Sequence, residues 1–341
     1  MKTLSKILVF MIAAIIMALP LAAGMLAGGQ NSSQNRPTRR PPPPPKPPRN
    51  SNQAGVGIEP TGPIPPITCS GQRPCTAEEK NLPPQVPIEF PGPNGMKLHG
   101  HLYVPGVTRP EDLATVTRKY PAMIYNHGSD PDPDGVPSIA KLYLDHGYIF
   151  FAPDRHGQGL SKDAGKYQVD VQQEHKGDDS GIWDVILQER YNLDVMAAVE
   201  WFKKQPYVEP NHIGMTGLSL GGIQTLITAR KDPGIRAYVV FAPAAISWGV
   251  DELVLHLKDS VTNERAPMFI IQAEGDYNLG PVTVLGDKLF AKGNHERWGR
   301  HLYPRFGCTN DDAHRKFAQN CDGIAVWGQD VIDFVNRWVK N

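Results

Sequence analysis

The stretch HIGMTGLSLGGIQTLITARK, residues 212–231, decides how the rest of the chain is read. Its first part, HIGMTG, has the pattern of a strand, and its second, GGIQTLITARK, that of a helix. Between them stands Gly217-Leu218-Ser219-Leu220-Gly221, a G-x-S-x-G on a strand-to-helix turn, and that context gives the short motif its meaning. Glycines on both sides let the backbone reverse so sharply that the serine side chain projects from the turn. The Leu220 amide and the positive end of the helix then face any oxyanion formed beside it. Ser219 is the candidate nucleophile, the plainer alternative being a serine that caps a helix.

On either side of this turn, apolar strand-like runs alternate with amphipathic helical ones. PAMIYN (121–126) precedes helical SIAKLYLDHG, then strand YIFFAP; LDVMAAVEWFKKQ leads into the opening stretch, followed by strand AYVVFAP (237–243). Strand PMFIIQA (267–273) and a closing helix from about Trp327, WGQDVIDFVNRWVK, come last. QVPIEF and MKLHGHLYVP alternate instead, as an antiparallel pair at a sheet edge does. The fold class is α/β, a mostly parallel central sheet with helices on both faces. Ligands bind such sheets at the carboxyl ends of the strands, so chemistry belongs just after each one.

A serine hydroxyl needs a base, and the base needs an acid that fixes its tautomer. PMFIIQA ends in Glu274-Gly275-Asp276, and Asp276 has the better offset past the strand, with Glu274 as the other carboxylate. Three histidines follow: His295 in a polar stretch at a helix end, His301 leading into the last short strand LYPRF, and His314 between that strand and the closing helix. His314 is the expected base. The second oxyanion donor is placed in YNHGSD at the Ser129 amide, with His127 shaping the turn. DRHGQGLS, residues 154–161, shapes the pocket rim, and His156 precedes the serine, in the wrong order for the base. Segments 165–183 and 247–266 are expected to roof the pocket.

These residues resemble the α/β-hydrolase superfamily, in the branch similar to dienelactone hydrolases and related serine esterases. The matching pieces are His127-Gly128-Ser129, Asp154 to Gly159, Gly217 to Gly222, Gln272 to Asp276, and Ala313-His314 through Phe317. The resemblance implies an α/β-hydrolase fold with Ser219 as nucleophile, Asp276 as acid, His314 as base and Leu220 with Ser129 as oxyanion donors. It implies neither cofactor nor metal. The name-giving enzymes carry cysteine where this chain has Ser219, and glycine often stands where Ala313 does.

With 341 residues and a net charge of zero, the chain has no overall field to draw in nucleic acid or an anionic membrane. Lys2 and Lys6 precede an uncharged run, Ile7 to Gly29, broken at Pro20: a signal peptide or an N-terminal anchor over 1–30. From Asn31 to Thr68 lie 12 of the chain's 33 prolines, with Arg36, Arg39, Arg40, Lys46 and Arg49 among them, a basic polyproline II tether. The domain boundaries follow as 31–84 for the tether and 85–341 for the catalytic domain. In an extracytoplasmic protein four cysteines pair, and neighbour pairing gives Cys69–Cys75 and Cys308–Cys321, the second stapling the loop of His314. The spacing from Cys308 to Cys321 does not suit zinc. The expected activity is hydrolysis of a small-molecule carboxylic ester by a protein secreted, or tethered to membrane or envelope through its N-terminus. An acyl peptidase or amidase, and a catalytically silent envelope-displayed binding protein, are the alternatives.

Overall fold

In the computed structural model, residues 69, 71–175 and 180–341 are described; the signal or anchor and the proline tether lie outside them. Eight strands form one sheet: β1 (Val86–Pro91), β2 (Lys97–Tyr103), β3 (Tyr120–Asn126), β4 (Ile149–Pro153), β5 (Val208–Leu218), β6 (Ala237–Phe241), β7 (Met268–Ala273) and β8 (Trp298–Tyr303). Their order across the sheet is β1-β2-β4-β3-β5-β6-β7-β8. β1 and β2 pair antiparallel, as does β2 with β4, and every pairing from β4 to β8 is parallel. The alternating pair is thus at the edge. β4, β6 and β7 are buried at every residue, which is why they read as unbroken apolar runs.

Helices α1 (Pro137–Asp145), α2 (Gln168–Glu174), α3 (Ser180–Lys203), α4 (Leu220–Lys231), α5 (Asp251–Asn263), α6 (Gly286–Phe290) and α7 (Cys321–Val335) complete the layers. Alternate strand residues divide between two cores. Ile124, Val240 and Ile270 pack with Val199, Ile223 and Leu257 from α3, α4 and α5. Met123, Val239 and Ile271 pack on the opposite face with Tyr143 of α1 and Trp327 and Val331 of α7. At 25 cal/mol per Å² of apolar surface, each fully buried Ile, Leu or Phe contributes about 1.5–3 kcal/mol, so these two layers fix which ends of the strands come together.

Three expectations are corrected. The closing helix begins at Cys321, not near Trp327: Asn320, extended at φ −88° and ψ 155°, ends the preceding turn, and its carbonyl accepts from the Ile324 amide at 2.8 Å. Segment 247–266 is no roof, because it folds as α5 and buries Leu253, Leu257 and Val261 in the core beside α3 and α4. The disulfides also differ, joining Cys69 to Cys308 and Cys75 to Cys321 with Cα separations of 5.0 and 5.8 Å. The segment around residues 69–75 lies against the 306–321 region, where a Cβ on Gly71 would come within 2.7 Å of the Phe306 ring. It is fastened to the hydrolase body and forms no small loop of its own.

Candidate active site

Ser219 joins β5 to α4 with φ 58° and ψ −117°. A non-glycine residue in such a conformation stores about 1–3 kcal/mol, so its surroundings must hold it there. The Ser219 amide donates to Phe241 O at 3.0 Å, and the Ser219 carbonyl accepts from the Ile223 amide at 3.0 Å. The flanking glycines are sterically required. A Cβ on Gly217 would lie 2.4 Å from Gly221 O, and one on Gly221 would lie 1.9 Å from Asn126 O. Leu220 opens α4, so its N–H is among those with no acceptor inside the helix.

Asp276 lies beyond β7, past Gly275 at φ +93°. Its carboxylate accepts from Gln272 Nε2 at 2.8 Å, from the Tyr277 amide at 2.6 Å, and meets His314 Nδ1 at 2.9 and 3.0 Å. Glu274 is exposed and does not line the cavity of Ser219. His314 follows β8 and stands edge-on to Tyr277, ring centroids 5.4 Å apart. Its loop is held from within by Asp312, which accepts from the Cys308 and Thr309 amides at 2.9 Å each. Asn310 Nδ2 donates to Gly275 O at 2.7 Å, tying this loop to the one that carries Asp276.

Ser219 and His314, 9 % and 5 % exposed, line one cavity of about 240 Å³ with Ser129, Leu218, Tyr277 and Ile246. Since Asp276 takes Nδ1, the other ring nitrogen is left for chemistry. That atom, Nε2, is buried and makes no hydrogen bond among the described residues, Ser219 Oγ included. Bonds between a base and its nucleophile commonly close only with substrate bound.

Residues 127–285 match the family model described as the dienelactone hydrolase family. The chain has an α/β-hydrolase fold and is similar to the dienelactone hydrolase family over these residues. Among curated proteins it is similar to the polyketide transferase grgF of a Penicillium species, 27 % identical over 58 % of this chain and 60 % of that one. It is also similar to a putative carboxymethylenebutenolidase of Aquifex aeolicus, 26 % identical over 54 % of this chain and 68 % of the relative. The chain spans only 50–60 % of the two polyketide transferases and the thiohydrolase among these relatives. Among solved structures, the esterase Pf2001 of Pyrococcus furiosus superposes with a TM-score of 0.51 at 18 % identity, covering 78 % of this chain and 97 % of that one, a likeness of fold.

The loop after β3 is shaped by Arg155 and Gln158 of the expected rim segment 154–161 and by Tyr167 of the expected roof, residues to which the sequence reading gave no individual role. Arg155 Nη2 donates to His127 O at 2.9 Å and Gly128 O at 2.7 Å, and Gln158 Nε2 donates to Asp130 O at 2.6 Å. Tyr167 OH donates to Ser129 O. The N–H of a trans peptide points away from its C=O. Fixing the Gly128 carbonyl on Arg155 therefore aims the Ser129 amide to the other side. Desolvation brings the Arg155 guanidinium down to about 10, so it stays charged at neutral pH. His127 is pushed well below the usual histidine range, first by burial and then by Arg155, which keeps it neutral. Its Nε2 accepts from the Arg155 amide at 3.3 Å, so its place is in the turn.

His156 is taken by Asp194 at 2.6 Å and stacks on Tyr191; with α2 it borders a separate cavity. Of the expected roof over 165–183, whose residues 176–179 lie outside the described ones, Tyr167 bears on the site by holding Ser129. His295 stacks on Phe290 and His301 on Tyr303, and neither lines the cavity of Ser219. Cys75, Glu79 and Cys321 gather within 4.8 Å, but both sulfurs belong to one disulfide and offer no thiolate to a metal. Among the described residues no helix is long and apolar enough to cross a membrane.

Proposed function

We propose that this protein is an extracytoplasmic serine hydrolase that cleaves a carboxylic ester through an acyl-enzyme on Ser219. The observation that carries the reading is the Asp276–His314 pair, whose free Nε2 is buried in the wall of the cavity that Ser219 also lines. Asp276 fixes the imidazole with Nδ1–H toward the carboxylate, which leaves Nε2 basic. As Ser219 Oγ attacks the ester carbonyl its proton passes to Nε2, while the amides of Leu220 and Ser129 stabilise the oxyanion. Collapse breaks the bond to the leaving alcohol, which takes the proton from the imidazolium. Water, deprotonated by the same nitrogen, then attacks the acyl-Ser219 and releases the acid.

Two disulfides support an oxidising compartment outside the cytoplasm. The names polyketide transferase and thiohydrolase among the relatives favour one second reading, in which an alcohol or a thioester takes part in the acyl transfer. Adding alcohols to an ester assay separates hydrolysis from transfer by the products formed. The direct test is hydrolysis of short-chain 4-nitrophenyl esters. Ser219→Ala and His314→Ala should each lower kcat by about 10⁴-fold or more with the fold intact. A His314→Ala enzyme that kept wild-type turnover would overturn the assignment of the base.

A further inference from the structure

The rim of the Ser219 cavity carries a charge that the hydrolytic reaction itself does not need. Asp130, Asp132 and Asp134 line it from the loop after β3, and Asp311 lines it from the loop of His314. Arg315 is the cavity's one guanidinium or ammonium group, and it is bonded to Asp311 at 3.1 and 3.3 Å. Its field also reaches Asp130 and Asp134. One cation against four carboxylates still leaves three net negative charges. Asp130, Asp132 and Asp134 form no salt bridge among the described residues, and each is exposed. Some of their oxygens have local work: Asp130 Oδ1 accepts from the Asp132 amide at 3.0 Å, and Asp134 Oδ1 from the Val136 amide at 2.9 Å. A second, independent feature marks this as a place for a ligand, namely the buried, unpartnered Nε2 of His314 in the same cavity wall.

We propose that the acidic rim selects substrates whose acyl group carries a cation, an ammonium or quaternary ammonium a few bonds from the scissile carbonyl. The proposal rests on Ser219 and His314 being the reacting pair. Val136, Leu218 and Ile246 add apolar surface to the same cavity, which suits a short methylene chain. A cation at the end of that chain meets the carboxylates, whereas an anion there meets like charge, and a recess of one sign focuses the field on whatever enters.

The test uses four 4-nitrophenyl esters with six-carbon acyl chains: hexanoate, 6-aminohexanoate, 6-(trimethylammonio)hexanoate and monoadipate. The kcat/KM of the cationic esters should exceed that of the monoadipate by about tenfold or more at low salt, and the gap should narrow in 0.5 M NaCl, as roughly expected for exposed charges. The two cationic esters distinguish a primary ammonium from a quaternary one. In the Asp130→Asn/Asp132→Asn/Asp134→Asn variant, which keeps an acceptor oxygen at each site, the ratio should fall toward one. Because the ratio is taken within each enzyme, a general loss of activity cancels. A wild-type ratio of one or less, or a ratio unmoved in the variant, overturns the proposal while leaving ester hydrolysis standing. If none of the four esters is cleaved, it is the hydrolase reading that fails. Calorimetry with Ser219→Ala then still decides the rim: tighter binding of the cationic esters than of monoadipate supports it, and equal binding overturns it.

Discussion

Replacing the cysteines in pairs gives a test whose outcome depends on connectivity. The bridges Cys69–Cys308 and Cys75–Cys321 span 239 and 246 residues. In the chain-entropy account, closing a loop of that size lowers the entropy of the unfolded chain by an amount worth about 5 kcal/mol. Once one bridge exists, however, the other closes only a ring of roughly 20 residues through it, worth about 3 kcal/mol. Cys69→Ser/Cys308→Ser and Cys75→Ser/Cys321→Ser should therefore each cost about 3 kcal/mol, and the fourfold variant about 8. Neighbour pairing would give a different pattern, two independent small rings costing about 2–3 kcal/mol each and adding simply. Guanidinium unfolding followed by circular dichroism measures all four proteins. Fluorophosphonate labelling of Ser219 in native buffer reports whether the His314 loop keeps its place. Additive losses, or a fourfold variant as stable as the single-bridge ones, would refute the reasoning.

Arg155→Met should lower kcat by about 10²–10³-fold with a smaller change in KM, because the Ser129 amide loses its aim; partial rescue by Arg155→Lys would separate charge from fork geometry. Equal kcat values for wild type and Arg155→Met would contradict a positioning role. The Asp154 carboxyl is pushed up to about 7 by burial, so between its ordinary value and about 7 the folded protein keeps a proton that the unfolded chain has released. Stability should then fall as pH rises through that window and level off above it. Glu264, also raised to about 7 by burial, acts in the same direction. Asp154→Asn should consequently be more stable than wild type by about 2–4 kcal/mol above pH 7, with the margin gone near pH 4, in urea titrations across pH. Gly221→Ala drives a methyl into the Asn126 carbonyl and should yield little folded protein, measured by soluble expression and thermal melts.

The order of chemistry along the chain was legible because strand order is. Three strands that end in Leu218, Ala273 and Tyr303 deliver Ser219, Asp276 and His314 to one edge of a parallel sheet; apolar runs announce the first two, whereas the last, read as LYPRF, runs from Trp298 to Tyr303 with polar Arg300 and His301 in it. Cystine pairing was not legible, since it depends on where residues 69–75 lie on the folded body, and four cysteines allow three pairings. Segment 247–266 misled because an amphipathic helix and a pocket cover look alike until the face it buries is known. Arg155 was read only as part of the rim segment 154–161, with no role of its own, because arginine in a glycine-rich turn ordinarily faces water. One clue was there: it stands two residues past the wholly apolar strand IFFAP, at the sheet edge where ligands bind.

The Asn310 brace to Gly275 O has a kinematic consequence. With that tether and the imidazole–carboxylate contact both in place, His314 and Asp276 are coupled as a single jaw. The hydroxyl rides on the other jaw, anchored in mid-sheet. On the proposed mechanism, readiness for reaction reduces to one coordinate, the gap between the two. Freezing that gap at its closed value, not rearranging either half, is the work left for whatever molecule arrives.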